Sequence, residues 1–89
     1  MSVTGEFLRC LRNCFDCARL ASPPGAEHWQ ARLRDAEVLG RDDVSKGADA
    51  FVALHEGEAR PGFEHAEDAE RFEELLSHLR ALCRSILGR

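Results

Sequence analysis

Cysteine is the residue type in this sequence with the most obvious capacity for chemistry. Three cysteines lie in the stretch CLRNCFDC, at Cys10, Cys14 and Cys17, and the fourth is Cys83. Thiolate sulfur binds soft metals such as Zn²⁺ and Cu⁺, and an activated thiolate is also a redox nucleophile. The spacing therefore raises three possibilities: a metal site, a redox centre, or small apolar residues inside a helix.

Helical geometry separates these possibilities. On an α-helix, positions 10, 14 and 17 fall on one stripe, with neighbouring Cβ atoms ~5–6 Å apart. A disulfide needs Cβ atoms about 3.5–4.5 Å apart, so a bridge within the helix is disfavoured. In an up-down bundle, a C-terminal helix would bring Cys83 near Cys10, and four thiols could converge on one metal ion. Free cysteine is, however, among the most buried residue types, and we expect Cys10, Cys14, Cys17 and Cys83 to be reduced and packed.

The cysteine pattern resembles features of two known families. The C-x3-C-x2-C spacing is similar to the cluster motif of radical SAM enzymes, but Asp16 stands where that family has an aromatic residue, and 89 residues are too few for its barrel. Helices lined with cysteine also resemble the copper-storage four-helix bundles, which carry many more thiols on several helices. We assign the chain to neither family.

Other catalytic signatures are missing from the sequence. It contains no HExxH or ExxH pair, no glycine-rich phosphate loop and no serine elbow, so we predict that it is not an enzyme. A net charge of −4, with acids and bases mixed along the chain, argues against nucleic-acid binding. No apolar run reaches the ~20 residues that span a bilayer, and charges interrupt the N-terminus where a signal peptide would be apolar. We therefore expect no membrane association and a cytoplasmic location.

The breakers SPPG at 22–25, GRDD at 40–43 and GEARPG at 57–62 divide one 89-residue domain into four segments of helical periodicity. Thr4 is a candidate N-cap for the first segment, Gly40 a candidate C-cap for the second, and Asp42 or Asp43 a candidate N-cap for the third. The sequence thus predicts an all-α, mostly antiparallel four-helix bundle with helices at 4–21, 24–39, 43–56 and 63–87.

The apolar stripes of these helices predict the core. The predicted core residues are Phe7, Leu11, Cys14, Trp29, Leu33, Phe51, Phe72, Leu76, Leu79, Cys83 and Ile86. The apolar arc of the first helix covers about half of its circumference, wider than the ~100° that one core face requires. The last predicted helix is also much longer than the third, so part of its apolar stripe would have no neighbouring helix in the same chain to cover it. We therefore expect contacts with a second copy or another protein through Leu8, Phe15, Leu75 and Leu82.

These observations favour a small protein–protein interaction or assembly module, either a homo-oligomer or part of a larger complex. The alternative is a thiolate metal-binding or metal-sensing bundle that uses the four cysteines. A third interpretation is a carrier of an apolar ligand, with Trp29, Phe51 and Phe72 as pocket walls, although such aromatics are more often simply core.

Overall fold

The protein folds into four α-helices joined by short connections. A computed structural model describes residues 2–56 and 59–88, with side chains described for all of these except 55 and 56. The helices are α1 (Val3–Ala18), α2 (Gly25–Asp42), α3 (Val44–Glu56) and α4 (Ala66–Leu87). Across the described ranges, β-pairing is limited to one isolated bridge between Ala21 and Phe63. The prediction of an all-α four-helix bundle is confirmed.

The helices pack in a ring, in which α1 contacts α2 and α4, and α3 contacts the same two helices. The contacts between α1 and α4 show that these two run antiparallel. The Cys10 thiol donates to the carbonyl of Leu75, and the Cys17 thiol donates to the carbonyl of Asp68, each at 3.6 Å. Later residues of α1 therefore meet earlier residues of α4. In the described part of the chain, each helix is either too short or too polar to cross a bilayer.

The first helix begins and ends earlier than predicted. Ser2, and not Thr4, is the N-cap, because its side-chain oxygen accepts a hydrogen bond from the Gly5 N–H at 3.1 Å. Thr4 lies inside the first turn. The helix ends at Ala18 instead of continuing to 21, because Ala21 leaves the helical path to form its bridge with Phe63.

The second helix runs three residues beyond its predicted end. Gly40 was predicted to cap α2, and this was wrong: it is a buried helical residue, and α2 continues to Asp42. A Cβ atom at Gly40 would lie 3.1 Å from Cε2 of Phe7, so the glycine makes room for that ring. The predicted turn at 40–43 shrinks to Asp43, whose carboxylate accepts the Ser45 N–H at 3.0 Å and caps α3 as expected.

The fourth helix begins at Ala66 and not at 63, because Phe63 is held in the bridge to Ala21 and packs its ring on Phe72 at 5.4 Å. The Ser22 N–H donates to the carbonyl of Gly62 at 2.8 Å. The α1–α2 and α3–α4 connections therefore meet at one end of the bundle. Positions 57 and 58 of the predicted turn at 57–62 lie outside the described residues.

The core follows the predicted stripes closely. Every predicted core residue is buried except Ile86, which is half-buried at the margin. The aromatic centre is a T-shaped contact between Trp29 and Phe72, with ring centroids 5.4 Å apart. The Trp29 indole N–H donates to the carbonyl of Ala59 at 2.8 Å, which fixes the α3–α4 connection over the core. Trp29, Phe51 and Phe72, the proposed pocket walls of the apolar-carrier interpretation, are all buried core side chains.

Candidate functional site

The four cysteines lie in the interior of the bundle. Cys14 and Cys83 are completely buried, and Cys10 and Cys17 are 4% and 3% exposed. All four are free thiols. Helix α4 lies against Cys10 and Cys17, whose thiols donate to its backbone carbonyls, so the expectation that these cysteines are packed is met within the same chain.

The surroundings of the thiols keep most of them protonated. A hydrogen bond with Cys10, followed by burial, raises the pKa of Cys14 far above the ordinary thiol value. Burial raises the pKa of Cys83 to about 12 and also raises that of Cys17. Only Cys10 has a lowered pKa, because the Cys14 thiol hydrogen-bonds to it. Since the thiolate is the reactive form, the raised pKa values of Cys14, Cys17 and Cys83 hold these three thiols in their unreactive protonated form near neutral pH.

The metal hypothesis needs at least three ligands around one point. Within residues 2–56 and 59–88, no three histidine, cysteine, aspartate or glutamate side chains are placed to hold one ion. Two of the thiols donate instead to backbone carbonyls of α4. The predicted set of Cys10, Cys14, Cys17 and Cys83 therefore has no support from the placement of the described side chains.

The four predicted interface residues are not equivalent in the structure. Leu8, Phe15 and Leu75 are half-buried and pack against the core cluster. Leu82 is only 8% exposed and belongs to the core itself, so it leaves little apolar surface for a partner. The wide apolar arc of α1 is covered on one side by α2 and on the other by α4. Much of the apolar surface that suggested a partner is thus satisfied within the chain.

A partly apolar groove lies open beside Phe15. This groove of about 270 Å³ lies where α1 and α2 meet, and we call it the α1–α2 groove. Val38, which is 58% exposed, is part of its wall. The other side chains that line it are mostly charged, and they are Arg12, Phe15, Arg34, Glu37 and Arg41.

Arginine side chains frame the apolar part of this groove. The guanidinium carbons of Arg12 and Arg34 lie 5.7 and 5.3 Å from the centroid of the Phe15 ring. Both distances are within the ~6 Å range of cation–π attraction. Arg41 pairs with Glu37 at 2.6 Å, one turn apart on α2. The ring thus holds one arginine from each helix in place at the groove.

The lining is positively charged in an otherwise acidic chain. Three arginines and one glutamate line the groove, which leaves a formal charge of +2, whereas the whole chain carries −4. Arg12 also approaches Asp16 at 3.8 Å, but both side chains are more than half exposed, and such surface pairs are weak. The groove therefore combines an apolar floor with a positively charged rim.

Sequence reasoning found Phe15 but missed Arg34, Val38 and Arg41. These three fall at i, i+4 and i+7 on one flank of α2, a regularity that is visible in the sequence. That flank becomes part of a site only when α2 packs antiparallel to α1 and places Arg34 over Phe15.

Comparison with known proteins identified no relative of this chain. No family model matches the chain, and neither a curated protein nor a solved structure shows significant similarity to it.

Proposed function

We propose that this chain is a protein–protein interaction module that binds its partner in the α1–α2 groove. The observation that carries the proposal is Val38, a large apolar side chain that is 58% exposed beside the half-buried ring of Phe15. Arginine and aromatic residues are the types enriched at the centres of protein interfaces.

The size of the groove supports a protein partner over a small ligand. Its volume of about 270 Å³ is below the ~300–1,000 Å³ typical of small-molecule pockets. Its walls are formed by the neighbouring helices α1 and α2. A groove of this kind suits one or two side chains that project from a partner's backbone.

The experiment is photocrosslinking in the cells that make the protein. A benzophenone amino acid replaces Val38 in one variant and Ser85, an exposed residue of α4, in the control variant. We expect a discrete crosslinked species from position 38 that is absent from position 85. Mass spectrometry of that species distinguishes a second copy from another protein. Equal crosslinking from both positions, or none from position 38, would contradict the proposal.

A further inference from the structure

We infer that the partner is a second copy of this chain, bound through the exposed face of α2. In this two-fold dimer the α2 helices of the two copies lie side by side and run parallel, with Val38 opposite Val38 of the second copy. This inference rests on the proposed function and names the partner. It follows from the exposed apolar residues of α2 and from the order of the charges that flank them.

The exposed apolar residues of α2 mark the surface. Val38 and Leu39 are 58% and 41% exposed, and the only other large apolar side chains exposed in the described part of the chain are Val3 and Leu20. Val3 begins α1 and Leu20 follows its end, so these two form no patch with each other. Ala31 is also exposed and lies seven residues before Val38, on the same side of α2. The described chain thus concentrates its exposed apolar surface on α2.

Charged residues flank Val38 on both sides. At about 100° per residue, Arg34 and Arg41 lie about 40–60° to one side of Val38 around the helix axis. Asp35 and Asp42 lie by the same angles to the other side, and all four residues are exposed. We call the arginine pair the basic edge and the aspartate pair the acidic edge. The exposed face of α2 therefore carries a central apolar stripe between edges of opposite charge.

This order of charges is self-complementary under a two-fold axis parallel to α2. Such an axis brings the same face of both helices together and turns the basic edge of each copy towards the acidic edge of the other. Arg34 then lies opposite Asp35 of the second copy, and Arg41 lies opposite Asp42 of the second copy. Symmetry repeats each pair, and guanidinium–carboxylate pairs form charge-assisted hydrogen bonds. One surface of this chain thus supplies both halves of the contact.

An antiparallel arrangement of the same two helices is unfavourable. Its two-fold axis is perpendicular to the helices, so each edge faces the same edge of the second copy. Arg34 would then lie near Arg41 of the second copy, and Asp35 would lie near Asp42 of the second copy. Like charges that face each other across an interface cost free energy. The order of charges on α2 therefore selects the parallel dimer.

The basic edge keeps its binding capacity despite its contacts within the chain. Arg41 pairs with Glu37 at 2.6 Å, and the guanidinium carbon of Arg34 lies 5.3 Å from the centroid of the Phe15 ring. A guanidinium group has five N–H donors, so one ion pair leaves donors for a second carboxylate. Side chains that are restrained before binding also lose less entropy on association.

The test measures the mass in solution of two charge-reversed variants of the purified chain, alone and mixed. Arg34→Asp with Arg41→Asp makes both edges acidic, and Asp35→Arg with Asp42→Arg makes both edges basic. Each variant alone should dimerise more than tenfold more weakly than the unmodified chain, because every cross-helix pair becomes repulsive. An equimolar mixture should dimerise again, because the acidic face of one variant meets the basic face of the other.

The control is Arg84→Asp, at an exposed position of α4, which should change dimerisation less than about twofold. Circular dichroism verifies that every variant is folded. An unmodified chain that stays monomeric as its concentration is raised would overturn the inference. A mixture that stays monomeric while the unmodified chain dimerises would also overturn it.

Cysteine crosslinking then tests the orientation of the helices. Ala31→Cys should react with a short bismaleimide to give a covalent dimer, because position 31 lies opposite itself in the parallel arrangement. An antiparallel dimer centred on Val38 would separate the two thiols by about 20 Å along the helix axis. Ser85→Cys, on exposed α4, is the control, and the native thiols are at most 4% exposed. No dimer from position 31, or equal yields from positions 31 and 85, would contradict the parallel contact.

The two proposals fail separately. If position 38 crosslinks a different protein in cells and the purified chain is monomeric, the interaction module stands and the second copy is wrong. If the chain dimerises but charge reversal on α2 has no effect, the dimer uses another surface and the inference is wrong. If position 38 captures nothing in cells, the proposed function itself is contradicted.

Discussion

Gly47 of α3 lies directly against Gly40 of α2. A Cβ atom added at Gly47 would be 2.7 Å from the Gly40 Cα and 2.7 Å from the carbonyl oxygen of Ala36. Both atoms belong to the backbone of α2, so neither can rotate away as a side chain could. The two helices are therefore in backbone contact at this point, and the absence of side chains on both glycines allows it.

Gly47→Ala should destabilise the fold by about 1–3 kcal/mol, because the methyl group forces α2 and α3 apart. In an unconstrained helix the same substitution would stabilise by up to ~1 kcal/mol, so the sign of the change is informative. Urea unfolding measures it. Gly62→Ala is the control, since nothing lies within 4 Å of its added Cβ atom. A stabilising effect at Gly47 would show that the helices do not touch there.

Alanine substitutions at Ser2 and Thr4 form a second pair of test and control variants. Ser2→Ala should cost about 0.5–2 kcal/mol, because it removes the hydrogen bond that the Gly5 N–H donates to the side chain. Thr4→Ala should leave stability within about 0.5 kcal/mol, since Thr4 is an exposed residue of the first turn. Thermal unfolding of both variants compares them. A larger loss of stability in Thr4→Ala than in Ser2→Ala would show that Thr4 is the N-cap, as the sequence predicted.

Leu76→Ala tests the core. Leu76 is 1% exposed, and its truncation should cost about 2–5 kcal/mol through lost burial and the cavity that remains. That loss is a large part of the stability of a domain of this size. Leu20→Ala, at a residue 57% exposed, is the control and should change the free energy of unfolding by less than about 0.5 kcal/mol. A loss below 1 kcal/mol at Leu76 would contradict the burial of this side chain in the core.

The cysteines should make the protein sensitive to alkali. Burial raises the pKa of Cys83 to about 12 from an ordinary 9.0, and the pKa values of Cys14 and Cys17 are also raised. Below pH 9 folded and unfolded chains both hold these protons, so the full stability is present. Above it the unfolded chain releases protons that the folded chain retains, so the free energy of unfolding should fall from pH 9 towards 12. Cys10, with its lowered pKa, adds stability as the pH rises towards 9 and does not change the slope above it, because this thiol is then ionised in both the folded and the unfolded chain.

Few other groups titrate in this window, because the chain has no tyrosine and a single lysine. Urea unfolding at several pH values between 8 and 11 measures the slope. The slope should be shallower in Cys83→Ala, whatever the absolute stability of that variant. A slope that is unchanged in Cys83→Ala would show that this thiol ionises normally in the folded state.

The sequence by itself determined the four helices and most of the core. Stripes such as Phe72, Leu76, Leu79 and Cys83 repeat with the period of the helix, and burial of a stripe depends mainly on that local repeat. The same reasoning placed the cysteines on the inner side of α1. It also limited the cap of α3 to Asp42 or Asp43, and the local hydrogen bond from the Ser45 N–H to the Asp43 carboxylate decides between them.

The tertiary structure decided the helix ends at Gly40 and Phe63 and the existence of the groove. Gly40 has the local character of a helix stop, but contact with Phe7 and Gly47 keeps it helical. Phe63 continues an apolar stripe, but its bridge to Ala21 holds it outside α4. Arg34 joins Phe15 only because α2 packs beside α1. In each case the deciding contact joins residues more than six positions apart in the chain, so a local periodicity or cap motif carries no information about it.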